Sequence, residues 1–420
     1  GDVYKRQALN KKTICSINQQ NIHYSYSCKI LNDKAMKNTL LRTVVILVAL
    51  CIYPSIHAYD FEYDGFYYDI TSDSTVSVTH DHGDFYKGDI SIPNQATHNG
   101  KTYQVTTIEA NAFKGKEQLT SVHISNSIDS IGDYAFCACP LLTQVSLGEG
   151  VTYMGNDIFR SSGLTSITIT RNVSQIGIAP FSACTQLTEI NVDEANPYFS
   201  SLDGVLTDKN RTTIVAYPAG KGKRYIIPDG ITKIGTHSFF ACPITYIHTP
   251  NSVKTIELFA FASCTDLDTI ILGNSVDSIE GAAFRINDRL KTIYSMNPIP
   301  PAAHPEAFSS FSPMFFIQCT LYVPVGSLQA YKNAEVWKNF KNIVENDFTG
   351  IERPSPDKAK IFGNKNSISF RNIEPGTDIS IYDTTGKCIK TFAVDGDSEI
   401  PLPSGIYLIK YAGRTVKIIL

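Results

Sequence analysis

Residues 128–145 read I-D-S-I-G-D-Y-A-F-C-A-C-P-L-L-T-Q-V. Cys137 and Cys139 stand two positions apart and raise the question of a metal or redox pair. The neighbouring sequence explains them better. Aligned on Phe136, the chain shows Phe113, Phe136, Phe159, Phe181, Phe239, Phe261 and Phe284, at successive spacings of 23, 23, 22, 58, 22 and 23. Five residues before each stands an aliphatic: Ile108, Ile131, Met154, Ile176, Ile234, Ile256 and Ile279. Six after most of them is leucine (Leu119, Leu142, Leu187, Leu267, Leu290), with Leu164 five after Phe159. Nine after comes Val or Ile: Val122, Val145, Ile190, Ile270 and Ile293, with Ile167 and Ile247 one residue early. A fixed period of this length marks a repeat architecture.

Within a unit, Leu119, Val122 and Ile124 are separated by polar residues, the alternation of a half-buried strand. The x-x-I-G-x-x-A-F half returns the chain through turns. One unit buries roughly five large side chains, each worth ~1.5–3 kcal/mol. Ordering its backbone costs ~1–2 kcal/mol per residue. No unit stands alone, so the units must stack. The expected fold is a repeat solenoid of leucine-rich-repeat type, β-rich with a parallel sheet.

Three residues after the anchor lie Cys139, Cys184, Cys242 and Cys264, replaced by Ser162 and Asn287 in other units. A residue that recurs with the structural period is most simply a small packed side chain. A metal site wants ligands converging from spaced pairs, and no second C-x₂-C or His pair accompanies Cys137 and Cys139. A disulfide between Cys242 and Cys264 stays open. Adjacent strands lie ~4.8 Å apart, inside the Cα window of a disulfide, but the two side chains would run parallel.

The pattern x-x-I-x-x-I-G-x-x-A-F-x-x-C-x-x-L-T-x-I-x-I resembles BspA-like leucine-rich repeat surface proteins of bacteria, over about residues 59–345. The resemblance places an N-terminal β cap at 59–104, repeats at 105–293 and a closing cap at 294–345. That last cap carries a short helix, with Tyr331, Trp337 and Phe340 covering the last open repeat. The 58-residue spacing is similar to a hairpin insertion of such repeats, residues 191–226, with turn chemistry at Asp203-Gly204.

The flanks differ in composition. Residues 1–35 show no periodicity and no motif, and are set aside as upstream sequence. Residues 36–58 have a basic start (Lys37, Arg42), an apolar run and Ala58, the layout of a secretory signal peptide. Cys51 raises a lipoprotein anchor, but Leu50 sits where such a signal wants a small residue. No later apolar run reaches the ~20 residues of a membrane helix. Residues 346–357 form a polar, Pro-containing linker, and 358–420 a set of short strands with a hairpin signal at Thr385-Gly386. A small C-terminal β-sandwich is expected there. S-I-Y-D-T-T-G-K and L-P-S-G-I-Y-L-I-K resemble the sorting domain read by the type nine secretion system of Gram-negative bacteria. That resemblance implies outer-membrane secretion machinery as a partner and export to the surface or medium.

Composition narrows function. The chain has 37 Lys and Arg against 40 Asp and Glu. Eight of those bases and two of those acids lie in residues 1–58, so 59–420 carry 29 against 38, a net of −9. Such an acidic body argues against nucleic acid as partner. No G-x-S-x-G, H-E-x-x-H, P-loop or dinucleotide fingerprint is present, so neither an enzyme nor a cofactor is expected. His80 and His82 flank Asp81 as a weak metal pair, outweighed by a solvated loop. His123 and His248 share a ladder position but lie about 24 Å apart, at ~4.8 Å per strand. What remains is surface. The position between the inward aliphatics reads His123, Ser146, Thr168, Asn191, Ile226, His248, Ile271 and Tyr294, the candidate binding face. A rigid sheet loses little entropy on binding. The expected function is adhesion to a host or bacterial surface protein or glycan, with a structural spacer lacking a ligand as the alternative.

Overall fold

The computed structural model describes residues 59–348 apart from 82, 84, 311 and 313, and 360–420 apart from 365, 366, 372, 374, 375, 395–397, 412 and 413. Residues 1–58, including the segment expected to be a signal peptide, and linker residues 349–357 lie outside the described residues.

The chain winds into a parallel β-solenoid. Each regular coil contributes one longer strand to a strand face, for example Leu119–Ile124, Tyr246–His248 and Thr269–Leu272. A two-residue strand on a second face follows, such as Ser130–Ile131, Tyr153–Met154 and Lys233–Ile234. Within each run both series pair parallel and in register, one coil to the next; the longer strands break between Gln144–Ser146 and Ser166–Ile169, and both series break at the insertion. The period brings the same residue type to the same place in each coil, so the core forms as columns. Ring centroids of Phe113, Phe136, Phe159 and Phe181 follow one another at 5.0, 5.5 and 5.8 Å, with planes within 11°. Phe239, Phe261 and Phe284 continue at 4.9 and 5.3 Å. All seven anchors are buried.

Two further rings belong to the column. Phe308 stacks 5.1 Å from Phe284, so one more coil lies inside the segment expected to be cap. Tyr217 stands 22 residues before Phe239 and stacks on it at 4.8 Å. The long spacing therefore holds a hairpin, Phe199–Leu202 with Val205–Asp208, and also a shortened coil built on Tyr217.

The turns beside each anchor use backbone that residue type does not announce. Two residues before the ring, Asn111, Tyr134, Asp157, Ala179, His237, Phe259 and Ala282 have φ between 48° and 64°. Two residues after it, Ala138, Ser161, Ala183, Ala241, Ser263 and Ile286 do the same, between 56° and 60°. Left-handed backbone costs a non-glycine residue roughly 1–2 kcal/mol. The return is a hydrogen-bonded column: the N–H groups of Asn111, Phe113 and Gly115 donate to the carbonyls of Asp133, Ala135 and Cys137 in the next coil.

The ends are closed differently. Before the first coils, Phe61–Tyr63, Phe66–Ile70 and Thr75–Val78 extend the sheet that holds the short strands, burying Phe61, Tyr68 and Tyr86. At the other end Phe315, Trp337 and Phe340 cover Phe308, and Trp337 Nε1 donates to the Pro301 carbonyl at 2.7 Å. Residues 360–420 form two antiparallel sheets of three and four strands around Ile368, Phe370, Ile379, Ile381 and Ile409. This is a small β-sandwich. Among the described residues no helix is long and apolar enough to cross a membrane.

Candidate binding surface

The cysteine column is buried, and Cys137, Cys139, Cys184, Cys242 and Cys264 are all free thiols. The Cys242–Cys264 disulfide is therefore absent, as parallel side chains on adjacent coils dictate. The column has a purpose that packing alone misses. Cys139 Sγ donates to the Phe113 carbonyl at 3.1 Å, Cys184 to Phe159 at 2.9 Å and Cys264 to Phe239 at 3.0 Å. Asn287 Nδ2 does the same to Phe261 at 2.9 Å. Each satisfies the carbonyl of the preceding anchor. Cys and Asn share this role because both donate, whereas Ser162 Oγ pairs with Cys184 Sγ at 3.4 Å. Burial pushes the Cys139 and Cys184 thiols up to about 11 and Cys264 to about 12, away from thiolate chemistry. Among the described residues no group of three or more His, Cys, Asp or Glu is placed to hold a metal ion. Of the His80 and His82 pair, His82 lies outside the described residues.

The strand face carries the candidate row, since alternate residues of each strand point away from the core. Register aligns the row in three runs: His123 pairs with Ser146, Thr168 with Asn191, and Ile226 with His248, which pairs on to Ile271 and Tyr294 in turn. It runs on to Tyr322 and Val344, which sequence reasoning missed because their coils lie beyond the last regular repeat.

The row is not uniform. His123, Ser146 and Thr168 are exposed, with Gln144 and Ser166 exposed beside them, and Asn191 is half-buried. Beyond the insertion the chemistry turns aromatic and aliphatic. Arg224 lies 4.1 Å over the Tyr246 ring, and Tyr294 stacks on Tyr322 at 4.7 Å. Here the expected open face is corrected: His248 is 6% and Ile271 3% exposed, and Ile226 is half-buried. Ile226 lines a cleft of about 510 Å³ whose other wall includes Gly376, Thr377 and Asp378 of the C-terminal sandwich. Among the expected row residues the open part is the first half, and exposure returns only beyond them, at Val344.

Comparison with known proteins places this architecture. Residues 104–202 and 219–321 match the family described as BspA type Leucine rich repeat region, in 6 copies. The two matched segments coincide with the solenoid coils on either side of the insertion. Among solved structures, the pneumococcal vaccine antigen PcpA is similar at 16% identity, covering 68% of this chain and 98% of its own, with a TM-score of 0.43. A leucine-rich repeat protein from Eubacterium ventriosum is 17% identical, covering 68% and 93%, with a TM-score of 0.40. A leucine rich cell surface protein from Faecalibacterium prausnitzii is 18% identical, covering 68% and 94%, with a TM-score of 0.34. No curated protein matches.

Proposed function

We propose that this is a bacterial cell-surface repeat protein that acts by binding, with the open half of the strand face as the contact surface for a surface protein or glycan. The observation that carries the reading is the regular row of His123, Ser146 and Thr168. Three exposed polar side chains stand on successive strands: His123 and Ser146 pair in register, and Thr168 follows on the next strand, itself paired with the one after it. An extended polymer can register on such a row without either partner ordering many side chains.

The test is a binding screen of residues 59–420 against matrix proteins, glycans and bacterial cells, repeated with Ser146→Lys, Thr168→Lys and Asn191→Lys combined. Attachment should weaken at least tenfold while the circular dichroism spectrum is retained. Unaltered attachment by the folded triple variant would move the site to another face. We further propose that residues 36–58 direct export and that the C-terminal sandwich is the outer-membrane sorting signal. In a host with that machinery, a chain ending at Asn346 should accumulate, folded, in the periplasm. Equal export of the truncated chain would remove the sorting role.

A further inference from the structure

The column of turn peptides is complete after the Phe113, Phe136, Phe159, Phe239 and Phe261 coils, lacks one bond (from the Ala282 N–H) after the Phe284 coil, and is missing altogether between the Phe181 and Tyr217 coils. Ile234 and Phe239 are five residues apart, whereas Ile214 and Tyr217 are three apart. The short coil therefore lacks the left-handed residue before its ring. Its carbonyls also serve elsewhere: Ile214 accepts from the Gly235 N–H and Pro218 from the Lys221 N–H. As a result, no group among the described residues accepts from the N–H of Ala179, Phe181 or Ala183. Alternating left- and right-handed residues turn such N–H groups to one side, the geometry of backbone anion nests.

A slot lies at this break, lined by Ala179, Phe181, Tyr217, His237, Ser238 and Phe240, with a volume of about 10 Å³. That is room for one small species. Ser238 is 3% exposed, and its Oγ has no partner. The His237 Nδ1 is also buried without a partner. Burial lowers the His237 pKa, against a smaller opposing pull from Asp157, so at neutral pH the ring contributes an N–H rather than a charge. The Asp157 carboxylate accepts from Ser182 Oγ at 3.2 Å and faces Arg160 at 3.9 Å, which offsets its repulsion of an anion. Peptide N–H, hydroxyl and imidazole N–H can all donate here. Buried donors need an acceptor, and an acceptor without hydrogens of its own suits a wall of donors better than water does.

We propose that the slot binds one halide-sized anion, held by the N–H groups beside Phe181 and by Ser238 Oγ, which completes the column between the two coils. The site is independent of whatever the strand face binds.

The experiment is thermal unfolding of the full chain at constant ionic strength, with sodium bromide replacing sodium gluconate. Tm should rise by about 2–4 °C and saturate. Non-specific salt effects would favour the more strongly excluded gluconate and so carry the opposite sign. Ser238→Ala, with an unchanged circular dichroism spectrum, should lose at least half of that rise. Crystals grown in bromide should show an anomalous peak between Phe181 and Ser238. Equal Tm in the two salts, or a slot without a bromide peak, overturns the proposal. The full rise in Ser238→Ala overturns the assignment of its hydroxyl.

Discussion

Phe136→Ala tests the column most directly. The ring is fully buried and lies between Phe113 at 5.0 Å and Phe159 at 5.5 Å, both nearly coplanar with it. Truncation removes the transfer energy of the ring and leaves a cavity that two stacked neighbours and a hydrogen-bonded backbone cannot close. The expected loss is about 3–5 kcal/mol. Of this, about 1–3 kcal/mol belongs to the two stacked pairs. Phe136→Leu, which keeps most of the volume, should therefore cost about 1–2 kcal/mol. Urea unfolding followed by circular dichroism reads the whole solenoid, and the single Trp, Trp337, reads its far end. Phe136 belongs to one buried cluster and Trp337 to another, and both sets of parallel ladders break at the insertion that separates them. The Phe136→Ala change should thus shift the circular dichroism transition and move the Trp337 emission midpoint by less than half as much. A loss below 1 kcal/mol would refute the assigned register. Equal shifts by both probes would refute the cooperative boundary.

Asn196 pins the insertion to the preceding coil: it is fully buried, donates to the Thr170 and Val173 carbonyls at 2.9 Å and accepts from the Tyr198 and Phe199 N–H groups at 2.8 Å. Asn196→Ala should cost about 3 kcal/mol and expose residues 193–211 to limited proteolysis, which a wild-type digestion pattern would contradict. Among the seven cysteines of residues 59–420, native protein should react with a thiol reagent only at exposed Cys388, and fast labelling of a second site would count against the buried column. Folded thiol pKa values near 11–12 stand above the ordinary value of 9.0, so the neutral thiols favour the folded state below pH 9. That contribution is lost as pH climbs from about 9 towards 11–12, and the urea midpoint should fall across this window, less steeply in Cys139→Ala.

Much of the architecture was legible in the residues. Phe113 to Phe284, the aliphatics five before them and the leucines six after recur because each coil must fill the same columns, and a shared period is visible without coordinates. Tyr217 escaped because its coil is two residues short, so the aliphatic-to-ring spacing no longer matched. Phe308 escaped because the segment around it lacks the leucine and aliphatic marks of the earlier coils. The left-handed backbone at Phe259 and Ile286 was beyond sequence reading, since neither residue type favours it and the ladder alone enforces it.

The candidate face divides in the same way. Sequence alone determined which residues share the outward row, because strand alternation and a constant period place them together whatever lies above. It also determined that the cysteines are structural, since they recur with the coil. Tertiary structure alone decided that His123, Ser146 and Thr168 are open while His248 and Ile271 are covered. It likewise decided that three turn N–H groups are left without acceptors beside Ser238. Local pattern sets where a side chain points. Solvent exposure and hydrogen-bond pairing depend on chain that is distant in sequence, and no repeat encodes that.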